Sequence, residues 1–149
     1  MHEIVLMTIG ENEVRKKICE IFSHPVIIQC EKGKKESLLR LEELLNEGVK
    51  VLLTYRCPYI IPVELYSQAA RGAYNIHPSL LPEYAGLNPW PQIFQDKVRH
   101  SGVTLHRIDD IPDSGEIIAT ARFEISADDT IDSARVKADD AAVELLKYL

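Results

Sequence analysis

Long hydrophobic runs are missing from this sequence. No stretch approaches the roughly 18 consecutive apolar residues that a membrane-spanning helix needs. The first residues, MHEIVLMTIGENEVRKK, also lack the basic start and the small-residue cleavage site of a secretory signal. We therefore expect a cytoplasmic protein with no membrane partner.

Cysteine is scarce, and the three that occur are widely spaced. Cys19, Cys30 and Cys57 are an odd number and form no CxxC motif. This pattern favours reduced thiols packed in the core. A catalytic cysteine is the alternative, and Cys57 is the best placed for that role.

Positive charge is not concentrated in any stripe of the chain. There are 17 Lys and Arg against 23 Asp and Glu, mixed along the sequence, and the net charge is −6. No nucleic-acid partner is expected from such a distribution. The 149 residues, 46% of them hydrophobic, are enough for one domain with a real core, spanning residues 1–149.

Apolar runs alternate with segments of helical period in the first half of the chain. EIVLMTIG, PVIIQC, VKVLLTYRC and GAYNIH predict buried strands, and residues 11–23, 38–47 and 63–70 predict the helices between them. That order predicts an α/β fold with a parallel sheet covered by helices. SGVTLHRI and GEIIATARFEI alternate apolar and polar residues, which is typical of antiparallel strands added at one edge. A last helix is expected to begin within residues 128–130.

Three unusual stretches follow strands of this predicted sheet: TIGEN, YRCPYIIP and NIHPS. Ligands of open α/β sheets bind outside the carboxyl ends of the strands. TIGEN matches neither G-x-G-x-x-G nor G-x-x-x-x-G-K, so an ordinary strand–helix turn is favoured there over a phosphate loop.

The third stretch places Asn75 and His77 two residues apart, and on a strand both side chains then point to the same face. The later segment VTLHRIDDIPDSGEII contains His106 and Asp113. If its strand lies beside GAYNIH, these four polar side chains meet. A metal site of His77, His106 and Asp113 is an alternative by ligand type.

The two segments NIHPSLLPEYAGLNPW and GVTLHRIDDIPDSGEII resemble the folate-dependent formyltransferases, and the match is densest from about residue 55 to residue 125. That family includes glycinamide ribonucleotide, methionyl-tRNA and sugar N-formyltransferases. The resemblance implies a Rossmann-like formyltransferase fold, and it implies transfer of a formyl group from 10-formyltetrahydrofolate to a primary amine. A formyltetrahydrofolate hydrolase and a non-catalytic folate-binding remnant are the alternatives.

The resemblance also implies roles for individual residues. Asn75, His77 and Asp113 correspond to the catalytic residues of the family, and His106 corresponds to a supporting histidine whose alternative role is only to brace Asp113. No metal is expected, because the family uses none here. An amide and a protonated imidazole suit this chemistry, since both can donate hydrogen bonds to the oxyanion of a tetrahedral intermediate.

Binding residues are likewise implied by resemblance. The folate is expected to contact two loops and one apolar side chain: Tyr59, Ile60, Ile61, Leu81, Ile108, Asp109, Asp110 and Ile111. Core packing is the alternative for Ile60 and Ile61. The acceptor is expected to contact Lys137 and Asp140, whose alternative is a solvated ion pair on one helix face.

Two departures from the family bear on the acceptor. The Gly-rich phosphate loop after the first strand is replaced by TIGENEV, and the additional C-terminal domain of methionyl-tRNA formyltransferases has no counterpart among these residues. The expected acceptor is a small-molecule amine, either an amino sugar or a ribonucleotide-type amine. The departures argue against tRNA and weaken a ribonucleotide acceptor, whereas they are compatible with an amino sugar or another small amine. The resemblance leaves a homodimer open.

Overall fold

Six strands form one mixed sheet. In the computed structural model, which describes residues 1–149, the strands are β1 (His2–Thr8), β2 (Val26–Gln29), β3 (Val49–Tyr55), β4 (Gly72–His77), β5 (His100–Arg107) and β6 (Ile117–Glu124). Their order in the sheet is β2-β1-β3-β4-β5-β6. The first four run parallel, whereas β5 and β6 are antiparallel to their neighbours at one edge. The α/β class predicted from the sequence, with antiparallel strands at one edge, is therefore confirmed.

Five helices and one closing 3-10 turn flank the sheet. They are α1 (Glu13–Ile21), α2 (Glu36–Glu47), α3 (Val63–Tyr66), α4 (Trp90–Gln95), α5 (Ile131–Leu145) and the turn Leu146–Tyr148. Helix α3 is shorter than predicted, because the amides of Ala70 and Arg71 already bond to Val49 and Lys50 at the start of β3. Helix α4 was not predicted, since its six residues with a proline in the first turn show no period. None of these helices is both long and apolar enough to cross a membrane.

Side-chain and glycine caps determine where the longer helices begin and end. Asn12 precedes α1 and accepts a hydrogen bond from the amide of Arg15. Thr130, one of the three candidates in the sequence, caps α5 in a reciprocal capping box with Ser133. Gly48 ends α2 with a φ of 98°, a conformation that residues with a Cβ avoid.

Two apolar cores lie on opposite faces of the sheet. The larger core is covered by α1, α4 and α5, and the smaller by α2 and α3. The central strands β1 and β3 contribute to both cores, so their sequences are continuous apolar runs rather than alternating ones. The polar residues Thr54 and Asn75 therefore stand out at the carboxyl ends of β3 and β4.

A cavity in the larger core should be costly to the fold. Leu53 is fully buried at the centre of β3, and Leu53→Ala is expected to lower the free energy of unfolding by about 2–5 kcal/mol. Leu39 on α2 is 63% exposed, so the control Leu39→Ala should change it by less than about 0.5 kcal/mol. Urea denaturation measures both values, and equal losses would show that Leu53 does not belong to the core.

Candidate active site

A cleft of about 530 Å³ opens at the carboxyl ends of β3, β4 and β5. Its lining includes all four polar residues singled out in the sequence: Asn75, His77, His106 and Asp113. This volume falls within the range of small-molecule sites, about 300–1,000 Å³. The cleft lies where parallel sheets usually bind their ligands.

Strand register explains why these side chains meet. Thr54 of β3 is opposite Asn75 of β4, and Asn75 is opposite His106 of β5. Paired residues on neighbouring strands point to the same face, so the three side chains form a row across the sheet. His77, two residues beyond Asn75, extends that row towards the loop that carries Asp113.

The hydrogen bonds of His106 establish which ring nitrogen carries its proton. Its Nδ1 lies 2.8 Å from the carbonyl oxygen of Arg107, which can only accept. Nδ1 therefore donates, and the neutral ring presents Nε2 as an acceptor to Asn75 Nδ2 at 3.0 Å. Burial lowers the pKa of His106, which favours this neutral form.

His77 has a different arrangement. Its Nε2 lies 2.9 Å from the carbonyl oxygen of Tyr84, and its Nδ1 lies 3.4 Å from Asp113 Oδ1. Nε2 can therefore donate to the Tyr84 carbonyl oxygen, and Nδ1 lies against the carboxyl group of Asp113. Because Nε2 is bonded to Tyr84, Nδ1 is the nitrogen whose proton a ligand in the cleft can share with Asp113.

The loop that carries Asp113 is held in an unusual backbone conformation. Asp113 has a φ of 61°, in the left-handed region that non-glycine residues rarely adopt. Its Oδ2 accepts a hydrogen bond of 2.8 Å from the amide of Gly86. A Cβ on Gly115 would lie 1.8 Å from the carbonyl oxygen of Arg107, so only glycine allows this loop to approach β5. Strained residues of this kind are often found at functional sites.

Five of the eight residues expected to bind the folate line the cleft: Tyr59, Ile60, Ile61, Ile108 and Asp109. Ile60 is 69% exposed, whereas Ile61 is 5% exposed and also belongs to the smaller core. Core packing, the alternative for this pair, therefore applies to Ile61 but not to Ile60.

The other three expected folate residues lie outside the lining of the cleft. The side chain of Leu81 is buried beneath the loop after β4, and Ile111 is exposed. Asp110 accepts a hydrogen bond of 2.6 Å from the Tyr66 hydroxyl, which raises the pKa of Tyr66 to about 12. The resemblance assigned folate contacts to whole loops, and in the structure only some side chains of these loops line the cleft.

The structure does not bring Lys137 and Asp140 to the cleft. Lys137 Nζ donates to Asp129 Oδ2 at 2.6 Å and to the carbonyl oxygen of Glu124 at 3.0 Å. The hydrogen bond from Lys137 to Asp129 holds the pKa of the Asp129 carboxyl group well below its usual value. Lys137 therefore fastens the start of α5 to the end of β6, and it does not pair with Asp140.

A buried cluster next to the cleft was missed in the sequence. Arg56, which lines the cleft, donates to Asp139 Oδ1 at 2.8 Å, and the Tyr55 hydroxyl donates to the same oxygen. Burial raises the pKa of Asp139. The signal was present in α5, because Asp139 lies on a face otherwise made of buried residues: Ala134, Ala138, Ala141, Ala142 and Leu145.

Cys57 lines the cleft but is poorly suited to nucleophilic catalysis. Its interaction with the Cys30 sulfur, in which the Cys57 thiol is the donor, together with burial, raises the pKa of Cys57. The thiol therefore stays protonated, and the thiolate is the reactive form. All three cysteines are free, as the sequence favoured, but the prediction that they pack in the core is wrong for Cys19, which is exposed; Cys30 is buried and Cys57 half-buried.

The remaining two alternatives concern the turn after β1 and a metal site. Asn12 donates to Thr8 Oγ1 at 3.0 Å and caps α1, so TIGEN forms a strand–helix turn outside the cleft lining. The structure contains no group of three or more His, Cys, Asp or Glu side chains arranged to hold a metal ion.

Known proteins resemble this chain both in sequence and in fold. The family model described as "Formyl transferase" matches residues 11–148. A methionyl-tRNA formyltransferase of Kosmotoga olearia is 28% identical over 131 residues, which are 88% of this chain and 41% of that enzyme. The chain thus spans less than half the length of that relative.

Two solved structures show the same fold. A phosphoribosylglycinamide formyltransferase from Anaplasma phagocytophilum superposes with a TM-score of 0.80 at 22% identity, covering 95% of this chain and 81% of the other. A formyltetrahydrofolate deformylase from Pseudomonas syringae pv. tomato gives 0.82 at 20% identity, covering 98% of this chain and 59% of the other. At such identities the similarity shows the fold alone.

The buried position of His106 predicts a pH dependence. Its ring should titrate below the ordinary histidine value of about 6.5, because burial disfavours the charged form. The folded protein then holds this proton less tightly than the unfolded chain does. Stability from this group is therefore complete above about pH 6.5 and declines as the pH falls.

NMR titration of the ring signals, assigned by their loss in His106→Asn, measures this pKa. In His106→Asn the free energy of unfolding should decrease less steeply below about pH 6.5 than in the wild type, because the titrating ring is gone. A titration midpoint at or above the ordinary value would contradict the neutral, hydrogen-bonded ring.

Proposed function

The chain belongs to the formyl transferase family, and from that membership we propose that it transfers a formyl group from 10-formyltetrahydrofolate to the primary amine of a small molecule. One observation carries the proposal: Asn75, His77 and Asp113 meet in a single cleft. An amide, an imidazole and a carboxylate are the groups that an amine needs for attack on a formyl carbon.

In the proposed reaction the formyl oxygen binds between Asn75 and His77. One hydrogen of Asn75 Nδ2 is donated to His106, and the second is free for the oxygen. The proton on His77 Nδ1 supplies a second, charge-assisted bond. Both bonds strengthen as the carbonyl becomes an oxyanion, and one such donor is typically worth about 3 kcal/mol in the transition state.

The proton balance of the reaction explains the carboxylate. A carbon–nitrogen bond forms between the acceptor and the formyl carbon, and the bond from that carbon to the folate nitrogen breaks. The attacking amine loses one proton, and the leaving folate nitrogen gains one. Asp113, 3.4 Å from His77 Nδ1, is placed to orient the imidazole and to relay this proton directly or through a water molecule. The acceptor amine is the nucleophile, so no covalent enzyme intermediate is needed.

The donor is proposed to occupy the apolar side of the cleft. Tyr59, Ile60, Ile61 and Ile108 supply that surface beside Asn75. Backbone groups of the two loops would then bind the polar edge of the pterin. Leu81, Asp110 and Ile111 would contribute only through the shape of these loops.

The proposed acceptor is an amino sugar or a ribonucleotide-type amine rather than tRNA. The cleft is of small-molecule size. Arg56, which lines the cleft and donates to the buried Asp139, is available to such an acceptor, as are Lys35 and Asp109 of the cleft lining. They replace Lys137 and Asp140 in this proposal, because those two side chains lie elsewhere.

Hydrolysis of formyltetrahydrofolate is a second candidate function, with water as the nucleophile. The similarity of the fold to that of a formyltetrahydrofolate deformylase supports this candidate. The same groups at Asn75, His77 and Asp113 would serve either nucleophile.

A panel of amines incubated with 10-formyltetrahydrofolate tests both candidates. The proposed function predicts release of tetrahydrofolate that depends on one class of amine. Formate release without any amine would instead identify a hydrolase. Donor binding without turnover under any condition would contradict both and leave a folate-binding remnant.

Two substitutions test the proposed roles. His77→Ala and Asp113→Ala should each lower turnover by at least about 100-fold, because they remove the charge-assisted donor or the group that orients it. Donor affinity should change little, since neither side chain is proposed to hold the pterin. His100, an exposed histidine at the far end of β5, is the matched control, and His100→Ala should keep wild-type turnover. A near-normal rate in either site variant would remove that residue from the mechanism.

A further inference from the structure

A line of hydrogen bonds joins β3, β4 and β5 along the wall of the cleft. Thr54 Oγ1 lies 2.7 Å from Asn75 Oδ1, Asn75 Nδ2 lies 3.0 Å from His106 Nε2, and His106 Nδ1 lies 2.8 Å from the carbonyl oxygen of Arg107. The residues are directly paired in the sheet register. No role was assigned to Thr54 from its sequence.

Every bond in this line has a defined direction. The carbonyl oxygen of Arg107 can only accept, so His106 donates from Nδ1. Burial lowers the pKa of His106 and favours the neutral ring, which then accepts at Nε2. Asn75 must then present Nδ2 to His106 and Oδ1 to Thr54. The Thr54 hydroxyl donates to Oδ1, since its other neighbour, the carbonyl oxygen of Tyr74, is at 3.5 Å.

The Asn75 amide has little else to hold it in place. The terminal torsion of an asparagine side chain is broad, so the amide plane turns easily unless both of its ends are bonded. His106 holds the nitrogen end, and Thr54 holds the oxygen end. Because both ends of the amide are held, the second hydrogen on Asn75 Nδ2 points in one fixed direction.

We propose that Thr54 is a positioning residue for the formyl transfer proposed above, on which this inference rests: its hydroxyl orients the Asn75 amide towards the formyl oxygen. Thr54 is 4% exposed and lies in the otherwise apolar run VLLTY of β3. Valine has nearly the same shape and suits a buried strand equally well. The hydroxyl is therefore the one feature of this side chain that packing does not explain.

Thr54→Val and Thr54→Ser separate orientation from packing. Thr54→Val should lower kcat by about tenfold or more, which is below the 10²–10³ expected for complete loss of an oxyanion donor. The KM values for the folate and for the amine should stay within about twofold, because ground-state binding is unaffected. Thr54→Ser keeps the hydroxyl and should restore most of kcat, even though it loses the methyl group and some stability.

A second readout is independent of turnover. The two side-chain amide protons of Asn75, assigned by their loss in Asn75→Ala, should shift in NMR spectra of Thr54→Val and stay near their wild-type positions in Thr54→Ser. Both variants are first checked for folding by their backbone amide spectra.

Three results would overturn the positioning role: a wild-type kcat in Thr54→Val, a loss in Thr54→Ser as large as in Thr54→Val, or unchanged Asn75 amide signals in Thr54→Val. A wild-type protein without formyl transfer would contradict the proposed function instead, and the NMR comparison would still decide the role of Thr54.

Discussion

The register of β3, β4 and β5 is the constraint on which the rest of the structure depends. It places Thr54, Asn75 and His106 side by side near the carboxyl ends of β3 and β4. A slip of one residue in either pairing would turn Asn75 or His106 to the opposite face, and the side chains of the site would no longer meet. Close packing of the side chains in the two cores opposes such a slip. The core thus specifies the geometry of polar groups that contribute little to it.

The two histidines of the cleft illustrate how one site assigns two electrostatic roles. His106 is buried, donates to a carbonyl oxygen and accepts from an amide, so it is neutral. His77 also lies against a carbonyl oxygen, but its second ring nitrogen faces the carboxyl group of Asp113 rather than an amide. Environments that separate the protonation of neighbouring groups are typical of acid–base sites. Both rings face a backbone carbonyl oxygen, so the difference arises from the second partner of each ring, an amide for His106 and a carboxyl group for His77.

Some of this could be predicted from the sequence, because periodicity and spacing are local. Apolar runs identified β1 to β4, and the alternation of apolar and polar residues identified β5 and β6. The i, i+2 spacing of Asn75 and His77 indicated a shared face. Helix α4 and the partner of Asp139 could not be predicted in this way. The helix is too short to show a period, and Asp139 meets Arg56 only through tertiary packing. The contacts of Lys137 with Asp129 and Glu124 hold its side chain outside the cleft lining, and the helical spacing of Lys137 and Asp140 did not indicate these contacts.

The central claim is that this cleft transfers a formyl group with Asn75 as a donor to the oxyanion. The most direct measurement follows a ¹³C-labelled formyl group of 10-formyltetrahydrofolate by NMR in the presence of an accepted amine. The claim predicts that the label appears on the amine nitrogen, and that Asn75→Ala slows its appearance by about 100-fold or more. Label that appears only as free formate, or an Asn75→Ala rate equal to the wild-type rate, would contradict it.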